Sequence, residues 1–325
     1  TDFSLNQRKD QLKLKRINLE ALNTSLAGDL EVFLKSKLIE GYLKGEIENF
    51  NRISQLIKKD LSGSVDFNFS LYRDKGQSAR FMIAAKDIEL NDEVKASLKR
   101  VKVSGTVSDA LQKPVIKAKL SLVEARQADK ILNMMNVGID GSLKRADWDI
   151  ELLANLGKPV ALKAAGGVNI ENNLKKLTLN KLEAKAITIP IRLLEPASFS
   201  QSGKNLELSN LVLGIKDGKI IGNGKFGEKN FDGKLIIKKL PLSLAGAIDP
   251  KLALSGNLNI DASLSGTASA PNGNVKIRLR DFIVPGAQTV NIGKAGADIN
   301  ANWKLGKVQL DGSMFQPKVG KINLM

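Results

Sequence analysis

The sequence predicts an all-β chain: an elongated, curled antiparallel β-sheet, a β-taco or trough, with an apolar interior and one or two short helices. Three observations carry this. Apolar and polar residues alternate with period two along the 325 residues. A device of one apolar residue, one small residue and Gly recurs ahead of alternating runs. Helical spacing is confined to two brief stretches.

The alternation is clearest in four runs. Val65, Phe67, Phe69 and Leu71 point one way while Ser64, Asp66, Asn68 and Ser70 point the other. Ile116, Ala118, Leu120 and Leu122 alternate with Lys117, Lys119 and Ser121. Leu258, Ile260, Ala262 and Leu264 oppose Asn257, Asn259, Asp261 and Ser263, and Val275, Ile277 and Leu279 oppose Lys276, Arg278 and Arg280. Strands with one apolar and one charged face belong to antiparallel sheets with a single wet side.

The Gly device appears at Leu26-Ala27-Gly28, Leu61-Ser62-Gly63, Val103-Ser104-Gly105, Leu254-Ser255-Gly256 and Leu264-Ser265-Gly266. Gly within a strand pattern marks a bulge, a bend or a close backbone approach. The spacing of these copies is irregular, which excludes a fixed-period solenoid.

Helical spacing is found at Ile53, Leu56 and Ile57 within Asn51–Lys59, and at Ala128, Ile131, Leu132 and Met135 within Arg126–Met135. Both are expected to cover a sheet face or plug one end. Turn chemistry marks breaks at Gly157-Lys158-Pro159, at Glu195-Pro196 with the Ser-rich run to Gly203, at Asp249-Pro250 and at Pro271-Asn272-Gly273. None is long enough for a disordered linker, so residues 1–325 read as one continuous trough segment with a sub-boundary near 195–205.

Composition narrows the function. Cys and His are absent, which removes thiolate and imidazole chemistry, disulfides and the usual zinc ligands. Acidic groups such as Asp147-Trp148-Asp149 and those from Asp87 to Asp92 fall on alternating, solvated strand positions, so no catalytic residue, metal site or cofactor is assigned and the chain reads as a non-enzyme. The stretch Gly222-Asn223-Gly224-Lys225 lacks the strand–loop–helix setting of a phosphate loop and reads as a turn. A net charge of +16 raises nucleic acid and anionic membrane as partners. Basic residues are scattered in ones and twos and aromatics are only 5%, which speaks against nucleic acid because base stacking needs aromatic platforms.

A sheet of this length must dispose of its apolar face by sandwiching, closing into a barrel or curling into a trough. Twisted open sheets seldom exceed about ten strands without curling, which favours the trough. The face is rich in Leu, Ile, Val and Ala. That suits acyl chains and a plain protein core equally.

The C-terminal third carries a resemblance. Leu240-Pro241-Leu242-Ser243-Leu244, then Leu254 to Leu258, then Leu264-Ser265-Gly266-Thr267-Ala268-Ser269-Ala270-Pro271 resembles the TamB family within the AsmA-like group. Leu206 to Leu213, followed by Gly218 to Gly224, resembles the strand pairs upstream of that motif, and Val103-Ser104-Gly105-Thr106-Val107 is an earlier echo. The likeness is clearest over residues 200–315.

The resemblance implies a periplasmic trough, anchored at the inner membrane and similar to bridge-like lipid transfer proteins. Such a trough moves phospholipid toward the outer membrane, with an outer-membrane barrel as partner. The chain then reads as an internal fragment whose N-terminal anchor lies outside it. Phospholipid acyl chains are its expected ligand. Val65, Phe67, Phe69, Leu71, Ile116, Ala118, Leu120, Leu122, Leu258, Ile260, Leu264, Val275, Ile277 and Leu279 are the expected lining. The alternative is an outer-membrane protein assembly factor that pairs exposed sheet edges with client strands.

Overall fold

A computed structural model describes residues 2–8, 10–93, 95–245, 254–283, 293–304, 306–317 and 320–324. The described residues form 22 strands and one helix, and every strand pairing is antiparallel. The chain packs as two compact units, Thr1–Ala165 and Gly166–Met325.

The first unit contains β1 (Asp2–Arg8), β2 (Gln11–Ala21), β3 (Thr24–Phe33), β4 (Leu38–Ile47), β5 (Leu61–Asp74), β6 (Gly76–Asn91), β7 (Lys95–Ser108), β8 (Val115–Gln127), β9 (Lys130–Ser142) and β10 (Arg145–Asn155). Each pairs with the next in sequence. The helix α1 (Asn51–Ile57) fills the β4–β5 connection. Its Ser54 hydroxyl accepts from the Leu61 N–H at 2.8 Å and donates to the Leu61 carbonyl, tying the helix to the start of β5. Left-handed Lys58 ends it (φ 52°).

Strand β11 (Pro159–Glu171) carries the chain across the junction, after the expected turn at Gly157-Lys158-Pro159. The second unit contains β12 (Leu174–Ala186), β13 (Ile189–Glu195), β14 (Ala197–Ser202), β15 (Asn205–Ile215), β16 (Gly218–Phe226), β17 (Phe231–Pro241), β18 (Ser255–Thr267), β19 (Ala270–Ile283), β20 (Ala295–Lys304), β21 (Lys307–Gln316) and β22 (Gly320–Leu324). Here β13 and β14 share one lane between β12 and β15. Pro196 separates them because it has no N–H to give the ladder.

Within strands the alternation is reset at six positions. Arg16, Asp87, Glu124, Asn210, Lys239 and Asp281 adopt left-handed backbone, with φ between 49° and 60°. Each has an apolar residue two positions before it and another one position after it: Leu14 and Ile17, Ala85 and Ile88, Leu122 and Ala125, Leu208 and Leu211, Ile237 and Leu240, Leu279 and Phe282. The pairing register shifts beside Arg16, Asp87, Asn210, Lys239 and Asp281. At these five a bulge inserts one residue, so both flanking apolar side chains stay on one face although the sequence parity has flipped, whereas Glu124 is left-handed without a register shift.

The Gly device gains its meaning here. Gly63 (φ 111°) faces the bulge at Asp87 and Gly256 (φ 110°) faces the bulge at Asp281. A Cβ at Gly63 would stand 2.6 Å from the Asp87 carbonyl oxygen, and one at Gly256 2.6 Å from that of Arg280.

Three sequence expectations are corrected. Arg126–Met135 is not a helix but the end of β8, a turn and the start of β9. Leu132 and Met135 pair with Ala154 and Leu152, which lie two apart on β10, so their three-residue spacing is a strand phase reset. Pro271-Asn272-Gly273 lies inside β19, the turn falling at Ala268-Ser269, and Gly222-Asn223-Gly224-Lys225 lies inside β16. Asp249-Pro250 lies outside the described residues.

Candidate functional site

Residues directly opposite in an antiparallel ladder project from the same face, so the register shows which side chains share a surface. Phe67 lies opposite Ile83, Ile83 opposite Val103 and Val103 opposite Leu120. The row continues through Val137 to Ile150, and in the other direction through Gly45 and Leu26 to Leu19. It crosses nine strands without a polar side chain.

The neighbouring rows behave alike. Val65 reaches Leu122 through Ala85 and Val101, Phe69 reaches Ala118 through Phe81 and Gly105, and Leu71 reaches Ile116 through Ala79 and Val107. Eight expected lining residues, three strands apart, thus stand in four matched rows on one face. In the second unit Leu258 lies opposite Leu279, Ile260 opposite Ile277, Ala262 opposite Val275 and Leu264 opposite Gly273. The other six therefore also share one face. The pairing brings each set together within its own unit.

Glycines allow large rings to lie flat across this face. Phe67 stands over Gly45 and Phe81 over Gly105, in positions that a Cβ on either glycine would contest. The Phe67 and Phe69 rings pack tilted with centroids 5.9 Å apart.

Within each unit the closest strand contacts are between lane neighbours. Among the described residues the buried apolar side chains are Ala85, Ala154, Ala197 and Val212. Thirteen of the fourteen lining residues are half-buried and Leu264 is exposed. The face is thus neither sealed into a core nor fully open to water.

The alternating set was legible, whereas its companions Ile83, Val103, Val137 and Ile150 were not. Met82 and Ala84 put apolar residues on both faces of β6, and Met134 does the same in β9, which blurs parity.

The opposite face of the first unit is charged with both signs. Lys117 meets Asp140 at 2.8 Å, Lys163 meets Glu151 at 2.7 Å and Lys86 meets Asp66 at 3.7 Å. The hydrogen bond to Asp140 raises the Lys117 pKa above its ordinary value. Asp147 and Asp149 are exposed in β10. Among the described residues no three acidic side chains cluster as metal ligands would, and no helix is long and apolar enough to cross a membrane.

Compared with family models, with curated proteins and with solved structures, the chain matches none of them.

Proposed function

We propose that the apolar face holds lipid acyl chains, as a periplasmic segment of a bridge-like protein that carries phospholipid between the inner and outer membranes. The observation that carries this reading is the registered set of half-exposed aliphatic rows, led by the row from Leu19 through Phe67 and Leu120 to Ile150. Its eight strand spacings span about 38 Å at ~4.8 Å per strand. Such rows serve a long, flexible apolar ligand better than they serve a compact one. The resemblance of residues 200–315 to the TamB family supports the same reading and supplies its location, its membrane anchor and its outer-membrane barrel partner.

The mechanism needs no bond chemistry and no cofactor. Each buried methylene stabilises by about 0.8 kcal/mol, so a two-tailed lipid is held firmly against escape into water. Neighbouring positions along a row are near-equivalent, so the lipid exchanges one set of contacts for another as it slides. Headgroups remain in water at the margin of the groove.

The test is native mass spectrometry and lipid extraction on chain expressed in the periplasm and purified without detergent. The expected result is stoichiometric phospholipid, strongly reduced in a Phe67→Asp, Ile260→Asp variant that keeps its far-UV circular dichroism, because an unpaired charge on the face is costly to desolvate. A folded wild-type chain free of lipid overturns the reading and moves it to assembly of outer-membrane proteins through a sheet edge. Equal lipid in the variant also overturns it.

A further inference from the structure

The second unit carries a different feature on the face opposite its apolar one. Arg192 lies opposite Gly214, Gly214 opposite Lys219 and Lys219 opposite Lys238. Beyond the bulge at Lys239, Asn259 takes the next place and lies opposite Arg278. This row of four cations and two neutral residues crosses six strands, about 24 Å at ~4.8 Å per strand.

Acids bound the row at both ends, and both are engaged elsewhere. Glu183, opposite Arg192, is held by Lys181 at 3.3 Å, and Asp298, opposite Arg278, is held by Arg280 at 2.7 Å. Among the described residues no carboxylate pairs with Arg192, Lys219, Lys238 or Arg278. Lys219 and Lys238 stand directly opposite each other, an arrangement that destabilises a sheet unless an anion lies between them.

On the same face, about 7 Å along the strands, a second row places Val212, Ile221 and Ile236 side by side. Ile221 and Ile236 are half-buried. Asp261 follows them and lies opposite Lys276. Ile236, Lys238, Asn259, Asp261, Lys276 and Arg278 line a shallow pocket of about 330 Å³.

We infer that this face of the second unit docks on an anionic phospholipid bilayer, the cations taking headgroup phosphates and the Ile221–Ile236 row meeting the acyl boundary. Basic residues beside an aliphatic strip are what an anionic interface selects. A nucleic acid would instead call for aromatic platforms, and neither row contains an aromatic residue. The inference does not rest on the acyl-chain reading, because the two surfaces lie on opposite faces of the sheet.

The experiment is co-sedimentation of the full chain with vesicles of phosphatidylcholine alone or with about one-third phosphatidylglycerol, an anionic fraction at which each surface Lys or Arg counts. Binding is expected only to the anionic vesicles and is expected to weaken as salt rises. The Lys219→Ser, Lys238→Ser, Arg278→Ser variant should bind about a hundredfold more weakly, about fivefold for each cation removed, which corresponds to ~1 kcal/mol each. Lys102→Ser, Lys117→Ser, Lys119→Ser removes the same charge from the first unit and should leave binding unchanged. Lys238→Ser alone should raise the chain's thermal midpoint by relieving the like-charge pair, and should weaken vesicle binding about fivefold.

Equal loss in both triple variants would reduce the effect to net charge and overturn the inference. Equal binding to neutral vesicles, or binding to soluble polyphosphate with none to vesicles, would also overturn it. None of these outcomes alters the lipid-content measurement above.

Discussion

The two units repeat one face and diverge on the other. On the apolar side both use aliphatic rows in register, reset by a left-handed polar residue wherever the sequence parity slips. On the opposite side both units carry Lys–carboxylate pairs, as at Lys117–Asp140 and Lys163–Glu151 in the first and Lys225–Glu207 in the second. The second also gathers Arg192, Lys219, Lys238 and Arg278 in one row without a carboxylate partner. Because side chains alternate between faces, a strand can keep one surface while the other changes. The shared side is therefore set by the scaffold, and the divergent side is free to differ between the units.

The strongest way to break the equivalence of the apolar scaffolds is at the glycines that face the bulges. Gly63→Val and Gly256→Val each force a side chain into left-handed backbone and against a carbonyl oxygen. Each is expected to cost about 3 kcal/mol or more, read as a lowered guanidinium midpoint. Loss at only one site would mean that the two bulges do different jobs.

A smaller effect of opposite sign comes from the left-handed strand residues themselves. Glu124→Gly in the first unit should stabilise by about 1 kcal/mol, because a left-handed non-Gly residue carries strain that Gly lacks. Asn210→Gly in the second should gain only a few tenths of that, roughly, because Asn tolerates this conformation. Equal gains would show that side-chain packing, and not backbone strain, governs these positions.

The smallest effect concerns the ion pairs of the first unit. Arg73 holds Glu40 at 2.9 Å and lies over the Phe33 ring. Its hydrogen bond depresses the Glu40 carboxyl below the ordinary 4.5. A depressed carboxyl stabilises the fold above its unfolded pKa and loses that contribution as pH falls through its folded pKa. Both side chains are more than one-third exposed, so the ion-pair part of an Arg73→Ala loss should stay below about 1 kcal/mol at neutral pH. That part should fade as pH drops well below 4.5. A pH-independent loss would assign the whole effect to the stacking on Phe33.

How much was legible in the sequence differs element by element. The runs 64–71, 116–122, 257–264 and 275–279 showed their parity because charged or hydroxyl residues mark the other face, and α1 showed itself by spacing. The alignment of Phe67 with Leu120 was hidden, since it depends on three intervening hairpins whose registers are set by turns and bulges. Arg126–Met135 misled because a parity reset separates apolar residues by three, as a helical turn does. Leu61-Ser62-Gly63 was visible as a device, but its reason, the bulge at Asp87, lies in the following strand. The unpaired basic row was invisible for the same cause: Arg192, Lys219, Lys238 and Arg278 are distant in sequence and meet only through the ladder.

The lane-by-lane pairing has a consequence for how the units assemble and change length. Within each unit hydrogen bonds run almost wholly between consecutive strands, so sequence separations between partners stay short for a β protein. Low contact order of this kind speeds folding. It also makes stability close to a sum of nearest-neighbour terms, as in repeat arrays. A hairpin could then be duplicated or lost at modest cost to its neighbours, provided the incoming strands keep the parity of the shared face. Growth by whole hairpins is a route by which such a surface can change its length while its face stays the same.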